Sequence, residues 1–168
     1  MKHLLALCIL TLSVLSCNST KHVPHKKVST SQNKKHANNR ATLAGNIVND
    51  AKSYIGVKYK WGGTTRTGMD CSGLIHQAFK ANNISLPRVS RDMAKQGFRI
   101  PTKQVTQGDL LFFKVAKKSN TVNHVGLVVK NHANIITFIH ATSSKGVISS
   151  TLNQSYWKSA FYEARRVL

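Results

Sequence analysis

The sequence predicts an α+β domain in which helices come first and an antiparallel sheet follows. Three observations carry this. Ile47, Val48, Ala51 and Ile55 recur at helical spacing before Gly56, and Leu74, Ile75, Ala78 and Phe79 form a second apolar stripe over Cys71 to Asn82. After Gly108-Asp109, four runs rich in Val, Ile and Phe follow: Leu110 to Val115, Val122 to Lys130, Asn134 to Thr142 and Val147 to Leu152. The third observation is a globular composition, 41% apolar and 18% charged over 168 residues, which suits one domain plus a leader.

The chain opens with Met1-Lys2-His3 and an apolar run from Leu4 to Leu15, too short for a membrane span and suited to the core of a signal peptide. Export is therefore expected. The run ends in Val14-Leu15-Ser16-Cys17, which resembles the lipobox of bacterial lipoproteins and implies cleavage before Cys17 and acylation of that residue. Asn18 follows, which in enterobacterial lipoproteins implies sorting to the outer membrane, facing the periplasm. Residues 18–44 carry six Lys or Arg and three His, with no acid and no aromatic residue. The expectation is a disordered basic tether with a span of roughly 30 Å, drawn to anionic lipid. The domain boundaries expected are thus 1–17 for the leader, 18–44 for the tether and 45–168 for the folded part.

Net charge separates this chain from an ordinary domain. Twenty-five Lys and Arg face five acids, Asp50, Asp70, Asp92, Asp109 and Glu163, for +20 with His neutral. Anionic partners are expected. So few scattered acids disfavour a two-carboxylate hydrolase or an oxygen-ligand cation cage. Nucleic acid is the obvious anionic competitor, but export and the lack of any recognition-helix or aromatic RNA-binding motif argue against it.

Cys8 leaves with the leader and Cys17 is expected to be lipidated, so Cys71 is the free thiol of the folded part. Asp70 reads as an N-cap, which puts Cys71 in the first turn of its helix, where the backbone N–H groups and the helix dipole favour a thiolate. The same N–H groups could hold an oxyanion. A small buried hydrophobe is the competing reading of this cysteine. His124 and His140 lie on adjacent strand runs, and an odd hairpin loop at Asn131-His132-Ala133 would set them face to face. An even loop would put them on opposite faces. Paired on one face, they could act in series, His124 as base toward Cys71 and His140 orienting it. A Cys71/His124/His140 zinc site is the metal alternative. His76 and His132 fall off the face of the thiol or in the turn and are assigned to packing or solvent.

Six segments in order then carry a resemblance: Tyr59-Lys60-Trp61-Gly62-Gly63, Asp70-Cys71-Ser72-Gly73-Leu74, Leu86-Pro87-Arg88-Val89-Ser90, Gly108-Asp109-Leu110-Leu111-Phe112-Phe113, His124-Val125-Gly126-Leu127 and Ile139-His140-Ala141. Over about residues 46–168 the chain resembles the NlpC family of bacterial cell-wall cysteine peptidases. The resemblance implies a circularly permuted papain-like fold and cleavage of peptidoglycan stem peptides between D-glutamate and the diamino acid. It implies nucleophile Cys71, base His124 and third polar residue His140, with Tyr59 near the oxyanion or substrate backbone. Asp70, Ser72 and Arg88 would line the substrate groove, Arg88 offering its planar fork to a substrate carboxylate. No metal or cofactor is required, and a monomer is the default. The rival readings are a non-catalytic wall-binding lipoprotein and an amidase or acyltransferase using the same Cys-His pair. Residues 91–101 match no family pattern.

Overall fold

The computed structural model describes residues 30–115 and 120–168. The expected leader, the lipidation site Cys17 and the first part of the tether lie outside the described residues. Helix α1, Thr30–Lys52, begins within the stretch expected to be disordered and runs across the expected boundary at residue 44. Its buried stripe is Ala44, Ile47, Val48 and Ala51. Lys34 to Asn39 are exposed, and the helix runs on through them because propagation from an anchored end costs far less than nucleation. The helix stops at Lys52, short of the expected Ile55, and the turn ends at Gly56, whose φ of 88° favours glycine.

A short hairpin, β1 (Thr64–Thr65) and β2 (Gly68–Met69), leads into α2, Cys71–Lys80. Leu74, Ile75, Ala78 and Phe79 are all buried, as the stripe predicts. After α3 (Ser90–Met93) come β3 (Phe98–Ile100), β4 (Leu110–Phe113), β5 (His124–His132), β6 (Ile135–Thr142), β7 (Gly146–Thr151), α4 (Ser155–Ala160) and β8 (Phe161–Arg166). The six longer strands pair antiparallel in the order β3-β8-β4-β5-β6-β7. The C-terminal strand thus enters the sheet between β3 and β4, a placement that its sequence Phe-Tyr-Glu-Ala-Arg-Arg does not signal. Arg166 on β8 bonds both carboxylate oxygens of buried Asp109 at 2.8 Å and so ties the chain end to the turn before β4.

Two apolar clusters flank the sheet. One packs α1 and α2 against Leu110, Phe112, Val125, Leu127, Ile139, Ala141 and Val147. The other gathers Leu111, Phe113, Val128, Phe138 and Trp157 of α4 on the opposite face.

The β5–β6 hairpin departs from the expected geometry in two ways that cancel. Its turn has two residues, Ala133 and Asn134, both at positive φ as a type I′ turn demands. Alone, this even loop would send His124 and His140 to opposite faces. The register then shifts by one between Val128 and Lys130, and this bulge restores the parity. Leu127 faces Ile139, so in the same register Gly126 lies opposite His140 and His124 sits two residues along, a diagonal neighbour instead of a direct partner.

Close backbone contact seats α2. A Cβ on Gly73 would collide with the Gly63 carbonyl. Gly73→Ala is expected to lower stability by about 1–3 kcal/mol, read as a lower midpoint in chemical denaturation.

Candidate active site

Asp70 is the N-cap of α2, and its Oδ1 accepts from the Gly73 N–H at 2.6 Å. Oδ2 accepts from the Gly62 N–H at 2.8 Å, so the cap also holds the glycine loop. Arg88 approaches the same carboxylate with both η nitrogens: Nη1 reaches Oδ1 at 2.9 Å and Nη2 reaches Oδ2 at 2.8 Å. Nη1 also donates to Ser72 Oγ at 2.9 Å and Nη2 to the Gly63 carbonyl at 3.3 Å. The fork expected to receive a substrate carboxylate is therefore filled from within. Arg88, Asp70 and Ser72 still line the cleft, but as a braced cluster. Burial alone would raise the Asp70 carboxyl; hydrogen bonds from Arg88, Gly73 and Gly62 overcome it and hold the group below the usual carboxylate range.

Cys71 follows the cap and is buried, with a relative exposure of 8%. Burial pushes its thiol up, the Val125 N–H opposes this, the Asp70 charge reinforces it, and the N–H groups of Ser72 and Cys71 oppose it again. The thiolate-favouring end of the helix is thus outweighed in the resting site. Val125 stands at the start of β5, so the sulfur lies near the strand that carries His124. Both residues line one cleft of about 1130 Å³, together with Tyr59, whose hydroxyl is raised by its own burial and by the neighbouring Cys71 and Asp70.

Behind His124 runs a polar chain. His124 Nε2 lies 2.9 Å from His140 Nδ1, and His140 Nε2 lies 2.9 Å from Ser150 Oγ. Ser150 is buried and completes a chain in which the sequence identified the first two members only. The signal was present: Ile148 pairs with His140 and Phe138 with Ser150, so Ser150 occupies the face of His140. Trp157 walls the rings, stacked on His124 at 5.2 Å and edge-on to His140 at 4.5 Å. In this apolar setting burial lowers His124 to about 4, and burial together with His124 lowers His140 to about 3. Both rings are therefore neutral near pH 7. If His124 Nε2 donates to His140 Nδ1, His140 carries its proton on Nε2 toward Ser150, and His124 Nδ1 is left as an acceptor toward the cleft.

His76 and His132 stand apart, as expected. His76 Nδ1 meets the Leu86 carbonyl at 2.9 Å, and His132 is exposed at the end of β5.

A cysteine on a helix tip, set against a sheet that presents a histidine chain, defines a papain-like α+β architecture. The match is specific: the NlpC/P60 family model covers residues 56–166, and the chain belongs to that family. It is 36% identical over 123 residues to the Escherichia coli K12 protein named murein DD-endopeptidase MepS/murein LD-carboxypeptidase, covering 73% of this chain and 62% of that one. Identity to the gamma-DL-glutamyl hydrolase of Bacillus subtilis is 38% over 124 residues, 72% of this chain and 29% of the relative. An NlpC/P60 family protein from Bacillus cereus superposes with a TM-score of 0.68 at 29% identity, covering 74% of this chain and 40% of that chain. The chain thus spans under two thirds of the length of each of these relatives.

The neutral histidines have a measurable consequence. Between pH 6.5 and about 4 the unfolded chain protonates its histidines while folded His124 resists, so the unfolded state binds more protons and stability falls as pH falls. The loss from His124 alone is roughly 3 kcal/mol over that window. Denaturant midpoints at pH 7 and pH 4.5 should show it; full stability at pH 4.5 would contradict a neutral buried pair.

Proposed function

We propose that this chain is a cysteine peptidase of bacterial peptidoglycan that cleaves stem-peptide amides through Cys71, His124 and His140. The observation that carries the reading is the chain His124–His140–Ser150 ending at the strand start where the Val125 N–H meets the Cys71 sulfur. The thiol and imidazole rest uncharged, so His124 Nδ1 takes the thiol proton as sulfur attacks the carbonyl carbon. In this proposal the N–H groups at the start of α2 and the Tyr59 hydroxyl receive the developing oxyanion. His124 returns the proton to the leaving amine. It then draws a proton from water, which attacks the thioester and releases the carboxylate and the thiol.

The bond proposed is the amide between D-glutamate and the diamino acid, in keeping with the Bacillus relative named for glutamyl hydrolysis. The name of the Escherichia coli relative favours a second reading, scission of a DD cross-link. In the cell we propose export and anchoring through lipidated Cys17 at the envelope, with the basic stretch lying along anionic lipid; monomeric action needs no second copy.

Mass spectrometry of products from digested sacculi identifies the bond. Wild type should release glutamyl-terminated peptides and Cys71→Ala none, while His124→Ala loses about 10²- to 10⁴-fold in turnover. Wild-type cleavage by Cys71→Ala would overturn the reading. For His140 the proposed role is orientation, so His140→Gln, which can still accept from His124 and donate to Ser150, should retain more turnover than His140→Ala at similar KM. Equal losses would remove that role.

A further inference from the structure

Each of the five acids of the chain has its partner in the structure. Asp50 accepts from Asn82, Asp70 pairs with Arg88, Asp92 with Lys95, Asp109 with Arg166, and Glu163 with Arg99 and Arg165. The reactive cleft is lined by one acid, Asp70, and that acid is neutralised by Arg88. Among the described residues two further cations line the same cleft, Arg91 and Lys145, and both are exposed. No described carboxylate forms an ion pair with either, although Asp92 adjoins Arg91 in the chain and the charge of Arg91 helps to lower it. The described part of the cleft therefore carries two cations without an ion-pair partner beside a neutral histidine pair.

Both cations stand on built positions. Arg91 belongs to α3, whose Ser90 and Met93 are buried. Lys145 sits in the β6–β7 turn, where its N–H donates to Thr142 Oγ1 at 3.1 Å and the following Gly146, at φ 66°, abuts the Val57 carbonyl. The backbones are thus held, and the exposed side chains are what an arriving anion must order.

We propose that Arg91 and Lys145 form a cationic lip that selects substrates whose carboxylates beside the scissile amide are free, over the same substrates with those groups amidated. The inference rests on the peptidase reading and deepens it. An amide formed through the γ-carbon of a glutamyl residue leaves the α-carboxylate of that residue free, next to the bond attacked. The η nitrogens of Arg88 are already shared among Asp70, Ser72 and Gly63, so its fork is not open to that group. Among the described residues, Arg91 and Lys145 are the other cations that line the cleft. A carboxamide in the same place offers the same shape without the charge, and it forfeits the attraction of the two cations.

The test uses two synthetic γ-D-glutamyl peptides ending in a diamino acid, identical except for a free or amidated glutamyl α-carboxylate. Binding to Cys71→Ala protein is measured by calorimetry, and turnover by the otherwise unchanged enzyme is measured beside it. The free acid should bind about fivefold more tightly, the scale of an exposed ion pair, and the ratio should shrink toward one at high salt. In an Arg91→Gln/Lys145→Gln background the ratio should collapse toward one, and Arg91→Glu/Lys145→Glu should invert it. Equal binding of the two peptides, or a preference that survives the double Gln substitution, overturns the lip. A selective cleft that turns over neither peptide would leave the lip standing and overturn the bond assignment instead.

Discussion

The carboxylate of Asp70 accepts from the Gly73 N–H of α2, the Gly62 N–H of the glycine loop and both η nitrogens of Arg88. Three separate stretches of chain meet on this one side chain, and the next residue is Cys71. A cap alone contributes about 1 kcal/mol; here the cap also fixes where the helix tip stands relative to Tyr59 on one side and β5 on the other. The near contact of Gly73 with the Gly63 backbone works in the same sense, since a side chain there would push the helix off the loop. The positions of the sulfur and the N–H groups around it follow from this cluster.

The other half of the site is governed by burial. His124 and His140 lie among Phe113, Phe138 and Trp157, and this packing costs their charged forms far more than their neutral ones. A thiol that is also raised by burial then faces a base that is poor in isolation. The arrangement suits proton transfer coupled to attack, in which charge appears on the sulfur only as the substrate carbonyl takes it up. Ser150 matters because it closes the chain of buried polar atoms: His140 Nε2 would otherwise be left unsatisfied in an apolar wall.

Much of this was legible in the sequence because it is local. The stripe of Leu74, Ile75, Ala78 and Phe79, the Asp70 cap and the four strand runs each declare themselves within a few residues. What was missed depends on contacts between distant segments. The pairing of the two histidines was expected from an odd loop, whereas it arises from an even loop and a bulge, features that periodicity does not separate. Arg88 looked like a free fork because its partner, Asp70, is eighteen residues away in the chain. The strand Phe161–Arg166 was hidden by its charges, whose partners on β3 and beside β4 appear only once the sheet is assembled. Helix α1 runs through Lys34 to Asn39, exposed residues that leave no apolar pattern.

The site as a whole stands or falls on whether Cys71 becomes covalently attached to substrate. Rapid mixing of the enzyme with purified peptidoglycan fragments, quenched in acid within the first turnover and followed by peptide mapping, measures this directly. A transient mass increase equal to the acyl fragment, carried by the peptide containing Cys71, is the result expected. Product formed in the same samples with Cys71 unmodified at every time point, or an acyl group carried by another residue, would contradict the account.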